Sequence, residues 1–301
     1  MVDAYVTFLC RNDGYLPGAL VLAYALRQQT DNDLVCLVTD EISPAARSAL
    51  RALYTRVIPV DGLRRKSAVT GGRSDREFLP ARFQALRLGR DGDLGVTYDK
   101  IVLLDADILP LSGYDALFQL DTPAGIPMEF KDQCYSGRDE GSARWSWHLQ
   151  YERICPHGAR IPKGITDRAR FDRLNMGVNA GLWVLRPSMG EYRAVLAALR
   201  CPEVKTFPWP EMQLATLLWS GRWTSVDIRY ASIGGYPCPE ALYGTHFAGL
   251  KPWAGRSLAH YATFPDFRLW YQVYNSMYWS IPLLRKVPML RRIWEFSKHH
   301  G

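Results

Sequence analysis

The chain has 301 residues, 48% hydrophobic and 22% charged, with a formal net charge of +7. That is the make-up of an ordinary globular protein, long enough for one large α/β domain or two small ones around a substantial core. No apolar run reaches the roughly 18–20 residues that cross a bilayer, and Met1-Val2-Asp3-Ala4-Tyr5-Val6 lacks the regions of a signal peptide, so a cytoplasmic protein is expected. Ala4–Leu9 is a short run rich in β-formers and reads as a first strand. Pro17–Gln29 follows, with Leu22, Ala25, Leu26 and Gln29 at helical spacing. Leu34–Val38 reads as a second strand. Ser43-Pro44 then caps a helix striped by Ala46, Ala49, Leu50 and Leu53, and Val57–Val60 is a third strand. This alternation predicts a parallel sheet with helices on both faces. Asp61–Pro80, rich in Gly, Arg, Lys and Ser, reads as a mobile loop able to serve as a lid. Arg82–Leu88 reads as a helix leading to the strand Lys100–Leu104. Lys131–Asn175 is a long insertion of mixed charge and Trp, after which Val178–Leu185 resumes as a strand and Met189–Leu199 as a helix.

The six cysteines (10, 36, 134, 155, 201 and 238) are scattered without a C-x-x-C pair, and Cys10 and Cys36 lie in apolar runs, which predicts reduced, structural thiols. The positive charge fits an anionic partner such as a nucleotide diphosphate or acidic lipid. The basic residues are too dispersed for a nucleic-acid reader.

D-x-D occurs at Asp31/Asp33, Asp91/Asp93 and Asp105/Asp107, so spacing alone decides nothing. The first two pairs sit in polar turns, whereas Asp105 and Asp107 end the strongly apolar run Ile101-Val102-Leu103-Leu104. Ligands of open α/β sheets bind at such carboxyl ends. Two carboxylates in a partly dry crevice raise each other's pKa unless a cation compensates them, and a divalent metal completed by substrate phosphates does so. A strand-end turn with Asp107 as a helix cap is the alternative reading of the same residues.

Four stretches in order carry a resemblance: "AYVTFLCRNDGYLPGALVLAYAL" (4–26), "IVLLDADILPL" (101–111), "VNAGLWVLRPS" (178–188) and "HFAGLKPW" (246–253). Together they resemble the glycogenin-like retaining glycosyltransferases, glycosyltransferase family 8. The resemblance implies a GT-A fold, an α/β nucleotide-sugar domain with a mixed central sheet and helices on both faces. It also implies a UDP-hexose donor, with glucose or galactose expected, Mn²⁺ or Mg²⁺, and retention of anomeric configuration. In the first block Thr7, Asn12 and Tyr15 match positions that hold uracil and ribose, with one residue inserted around Leu9–Arg11. Arg82 takes the place of a basic residue that contacts the nucleotide sugar near the metal. Asp105, Asp107 and His246 match the metal ligands, with Ala106 between the aspartates in the donor site. Lys251, beside Gly249, matches a diphosphate contact, and Asn179 and Gly181 match the sugar pocket.

One stretch departs from the family pattern. In "WPEMQLAT", Glu211 matches the acid near the anomeric carbon, but Met212 stands where an amide is usual and Gln213 follows, so Glu211 and Gln213 are both catalytic candidates. Tyr230 and Tyr236 lie where glycogenin carries its self-glucosylated tyrosine, in a poorly matching context. A sugar nucleotidyltransferase would share the acids and the metal, although the usual Gly-rich basic signature is absent. A non-catalytic nucleotide-sugar-binding protein is the third class. The acceptor, whether glycan, lipid or protein, is expected at the 131–175 insertion, with its Trp145, Trp147 and His148, unless that insertion is a structural flap over the sheet. The chain divides into a transferase domain, 1–263, and an aromatic, basic tail, 264–301, suited either to packing or to an acidic membrane surface. A homodimer is also an expected partner state.

Overall fold

The computed structural model describes residues 2–64, 69, 77–129, 152–234, 238–254 and 264–300. Its first half follows the sequence pattern: β1 (Asp3–Leu9), α1 (Leu16–Arg27), β2 (Asp33–Val38), α2 (Pro44–Leu50) and β3 (Arg56–Pro59). Pro17 lies in the first turn of α1, where a missing N–H costs nothing, and Ser43 Oγ accepts the Ala46 N–H to cap α2. β4 (Lys100–Leu104), β5 (Ile108–Pro110) and β6 (Ala124–Pro127) come next, followed by α3 (Lys163–Phe171), β7 (Val178–Leu185), α4 (Met189–Leu199) and α5 (Pro210–Leu218). The remainder is β8 (Thr224–Ser225), β9 (Ser232–Ile233), β10 (Gly244–His246), α6 (Pro265–Ser280) and α7 (Pro288–His300).

Seven strands form one sheet in the order β3-β2-β1-β4-β7-β6-β8. β1 pairs in parallel with β2 and β4, whereas β7 runs antiparallel to β4 and β6, so the sheet is mixed rather than wholly parallel. Two cores cover its faces. Val102 and Leu104 join α1 and the C-terminal helices on one side, and Ile101 and Leu103 join Phe83, Trp183, Trp219 and Trp223 on the other. β7 breaks the two-residue period expected of a strand. Val178 and Ala180 share a core with Trp183 and Leu185, while Leu182 and Val184 belong to the other, so the alternation slips at Gly181.

Leu79–Leu88 winds as a 3-10 helix rather than the α-helix expected from Arg82, and every residue in it except Arg87 is buried. The tail packs on α1. Phe267, Trp270, Tyr271, Tyr274 and Met277 are each at most 2% exposed, and Tyr24 of α1 shares a 2.9 Å hydrogen bond with Ser276 of α6. These are the aromatic side chains that composition alone would equally suit to a membrane surface. Among the described residues, no helix is long and apolar enough to cross a membrane. Cys10, Cys36, Cys155, Cys201 and Cys238 are free thiols, as expected. Trp145, Trp147, His148, Tyr236, Cys134 and most of the 61–80 loop lie outside the described residues.

Candidate active site

Asp105 and Asp107 leave the carboxyl end of β4, and a small three-stranded sheet brings His246 to them. β10 lies between β5 and β9, and its antiparallel register sets His246 opposite Ile108, while the Phe247 N–H donates to the Asp107 carbonyl at 2.9 Å. Ligand atoms of Asp105, Asp107 and His246 consequently lie within 4.8 Å of one another. His246 Nε2 is 3.3 Å from Asp107 Oδ1 and 4.0 Å from Asp105 Oδ2. The slip in β7 makes room for this. A Cβ on Gly181 would meet His246 Cε1 at 2.5 Å, and the Asp105 N–H donates to the Gly181 carbonyl at 2.8 Å. Asn179 holds the turn, its Oδ1 accepting the Gly181 N–H at 2.6 Å and its Nδ2 reaching Met128 Sδ at 3.1 Å.

Two cations balance the aspartates. Arg82 is 2% exposed; its Nη2 is 2.5 Å from Asp105 Oδ1, its Nη1 donates to the Ala180 carbonyl, and its guanidinium stands 5.0 Å from the Phe8 ring centroid. Lys251 Nζ donates to Asp107 Oδ2 and the Phe247 carbonyl. Burial pushes the Asp107 carboxyl up, but the Lys251 ammonium and the His246 imidazole outweigh it and hold the group below the usual carboxylate range. The donor set fits a hard or borderline divalent ion: two carboxylates and one imidazole whose Nε2 faces both aspartates, with the buried Asp107 Oδ1 left, among the described residues, without a hydrogen-bond partner.

These groups open onto a cleft of about 1150 Å³, larger than a drug-sized pocket and roomy enough for a nucleotide sugar. Asn12, Tyr15, Arg82, Asp105, Ala106, Asp107, Asn179, Gly181, Glu211, His246, Gly249 and Lys251 all line it. Asn12 Oδ1 accepts the Gly14 N–H, which sets up the turn that presents Tyr15. Arg11 adopts φ 72°, and the Asn12 N–H donates to the Cys10 carbonyl at 2.9 Å, closing a three-residue turn. Glu211 sits in the first turn of α5, where a carboxylate is favoured by the helix dipole.

Thr7 and Gln213 are not in the cleft wall. Thr7 Oγ1 donates to the Leu104 carbonyl at 2.8 Å, tying β1 to β4. Gln213 is fully buried and spends its amide on the Arg173 and Asn175 carbonyls at 3.0 and 2.9 Å, while Met212 faces the cleft. One helical residue is a rotation of about 100°, enough to take the amide away from its neighbour's face. Tyr230 is also elsewhere, stacked on Tyr243 at 4.5 Å. Sequence reading missed Trp253, Trp209 and Met176, and the wall given by Met289, Arg292 and Ile293 of α7. The i, i+3, i+4 spacing of that last trio was the available signal.

No family model matches the chain. It is 28% identical over 296 residues to the R707 protein of Acanthamoeba polyphaga mimivirus, covering 91% of this chain and 94% of that one. It is 36% identical over 197 residues to a glycogenin of Neurospora crassa, covering 65% of this chain but only 22% of the glycogenin. Among solved structures, the galactosyltransferase LgtC in complex with donor and acceptor sugar analogues superposes with a TM-score of 0.57 at 15% identity, covering 90% of this chain and 95% of LgtC. That likeness establishes the expected GT-A fold.

Proposed function

We propose that the chain is a glycogenin-like glycosyltransferase that moves a hexose from a UDP-sugar to an acceptor hydroxyl with retention of configuration, assisted by Mn²⁺, a reading supported by its similarity to glycogenins and to a galactinol synthase. The convergence of Asp105, Asp107 and His246 at the mouth of a nucleotide-sized cleft carries this reading. Bound there, the divalent ion would supply charge compensation for the diphosphate. Lys251 would add an ammonium to the charge that grows on departing UDP. Arg82, buried against Asp105, fixes that carboxylate and lends positive potential to the donor side. Asn179 and Gly181 shape the sugar end, where the slip in β7 leaves a backbone concavity. Tyr15 offers a ring face to the base. Glu211 stands near the reacting carbon as an electrostatic group, and the leaving phosphate itself takes the acceptor's proton in a front-face transfer. Peripheral contact with an acidic membrane belongs to the same proposal and falls to Trp279, 53% exposed, and Leu283, 42% exposed.

Incubation with a panel of UDP-sugars and Mn²⁺ tests the reading. Free UDP from one sugar, with an α-linked product by NMR of the anomeric proton, supports it. Pyrophosphate from UTP and a sugar phosphate would move the chain to the nucleotidyltransferases, and tight binding without turnover would make it a binding protein.

A further inference from the structure

One wall of the cleft comes from the C-terminal helix α7, outside the four sequence blocks. Met289, Arg292 and Ile293, on one face of α7, line it. That face is held in place. Tyr274 of α6 donates its hydroxyl to the Leu290 carbonyl, and Ser297 Oγ donates to Asn275 Oδ1 at 2.8 Å. A run of rings then joins α7 to the end of the cleft that holds Lys251. Tyr274 stacks on Trp270 at 5.1 Å, Trp270 meets Trp253 at 5.4 Å, Trp253 meets Tyr15 at 5.9 Å, and Lys251 Nζ stands 5.6 Å from the Tyr15 ring centroid. Trp253 is itself anchored, its Nε1 donating to the Gly14 carbonyl at 2.9 Å.

Charge accounting singles out one residue on that wall. Arg82 and Lys251 are already committed to Asp105 and Asp107. Arg292 is exposed and, among the described residues, its side chain makes no ion pair or hydrogen bond. Its neighbour Arg291, in contrast, is paired with Glu295 at 3.0 Å. A planar guanidinium with five donors matches phosphate oxygens better than any other side chain. We propose that α7 is part of the donor site and that Arg292 contacts the phosphates of the bound nucleotide. The inference rests on the reading of the cleft as a UDP-sugar site.

Calorimetric titration of the full chain with UDP and with uridine, in Mn²⁺, tests it on wild type, Arg292→Gln, Arg292→Lys and Arg291→Gln. Losing one charge-assisted contact should weaken UDP about 10-fold in Arg292→Gln and leave uridine within about twofold. Arg292→Lys should recover part of the loss, and Arg291→Gln, which removes the same charge one residue away, should stay within about twofold of wild type. Unchanged UDP affinity in Arg292→Gln would overturn the inference, as would equal losses for UDP and uridine, or an equal loss in Arg291→Gln. Wild type that bound no UDP would remove the donor-site reading itself, a result distinct from wild type binding UDP and Arg292→Gln binding it as well.

Discussion

Asp107 is the more constrained of the two aspartates: its side chain is 6% exposed against 25% for Asp105, and it faces both Lys251 and His246. An amide in its place removes the charge that both neighbours answer, without changing the side chain's size. Asp107→Asn should therefore fold, lose the Mn²⁺-dependent thermal shift given by UDP, and turn over about 10²-fold more slowly, on the order of 3 kcal/mol. The other two D-x-D pairs separate spacing from context. Asp31 is exposed, so Asp31→Asn should be silent in both assays. Asp91 accepts the Met189 N–H at the start of α4, so Asp91→Asn should melt lower yet keep the full Mn²⁺-dependent shift. Retention of that shift in Asp107→Asn would reduce the motif to a strand-end turn. Gly181 is a second test at this scale, because a methyl there would collide with a buried imidazole ring rather than with the free end of a chain. Gly181→Ala should keep its far-UV circular dichroism and weaken Mn²⁺ about tenfold or more, the loss typical of a displaced ligand's support. Unaltered Mn²⁺ affinity would mean that His246 holds no ion. Which side chains the cleft receives was legible for Asp105, Asp107 and Lys251, but not for Met212 over Gln213. A motif gives a position in the chain, whereas the cleft selects a direction on the helix.

Among the elements, those long enough to show a period were legible. β1, β2, β4 and β7 carry apolar runs, α1 carries a stripe opened by Pro17, and α2 and α4 carry stripes with a serine cap. The short pieces were not: β8 and β9 have two residues each and β10 three, too few to display a period of two. β10 is nevertheless the strand that delivers His246, so the site's convergence came from resemblance and not from pattern. α4 shows a further limit. Ser188-Met189-Gly190-Glu191 has capping-box spacing, and Ser188 Oγ does accept the Glu191 N–H, but the Glu191 carboxylate is drawn off to Trp219 Nε1 and Arg222 Nη1, both at 2.7 Å. The Arg222 hydrogen bond holds Glu191 below the usual carboxylate range. A depressed carboxyl contributes stability above its unfolded pKa and loses it as pH falls through the folded one. Glu191→Gln should thus melt about 2 °C below wild type at pH 7, for a half-exposed pair worth about 1 kcal/mol or less, and the gap should close toward pH 3. A gap of the same size at both pH values would assign the loss to the Trp219 contact alone.

At the scale of the whole molecule, the open question from sequence was whether residues 264–301 sit apart from the catalytic fold or belong to it. Aromatic and basic residues together describe both a membrane-facing helix and a core helix with a solvated edge, and composition cannot separate them. The order of residues in α6 does bear on it: Phe267, Trp270, Tyr271, Tyr274, Met277 and Tyr278 recur at helical spacing, and all are buried. Pro282 and Pro288 do not break this unit, because each lies in the first turn of a new segment, Pro282–Lys286 and α7. Burying a large apolar side chain is worth about 1.5–3 kcal/mol, so Phe267, Trp270, Tyr274 and Met277 together contribute roughly 6–12 kcal/mol, comparable to the entire stability of a typical domain, about 5–15 kcal/mol. Deleting 264–301 would in addition uncover the α1 face and Trp253, which packs at a tilt against Trp270 and lines the cleft. The chain ending at 263 should therefore be insoluble or lack a cooperative melting transition, and should show no UDP-dependent shift. Trp279→Ala, which truncates the outermost aromatic of the tail, should instead melt within a few degrees of wild type and keep that shift. A truncated chain that melted cooperatively and bound UDP normally would make the tail a separate appendage, and would take α7 and Arg292 out of the donor site with it.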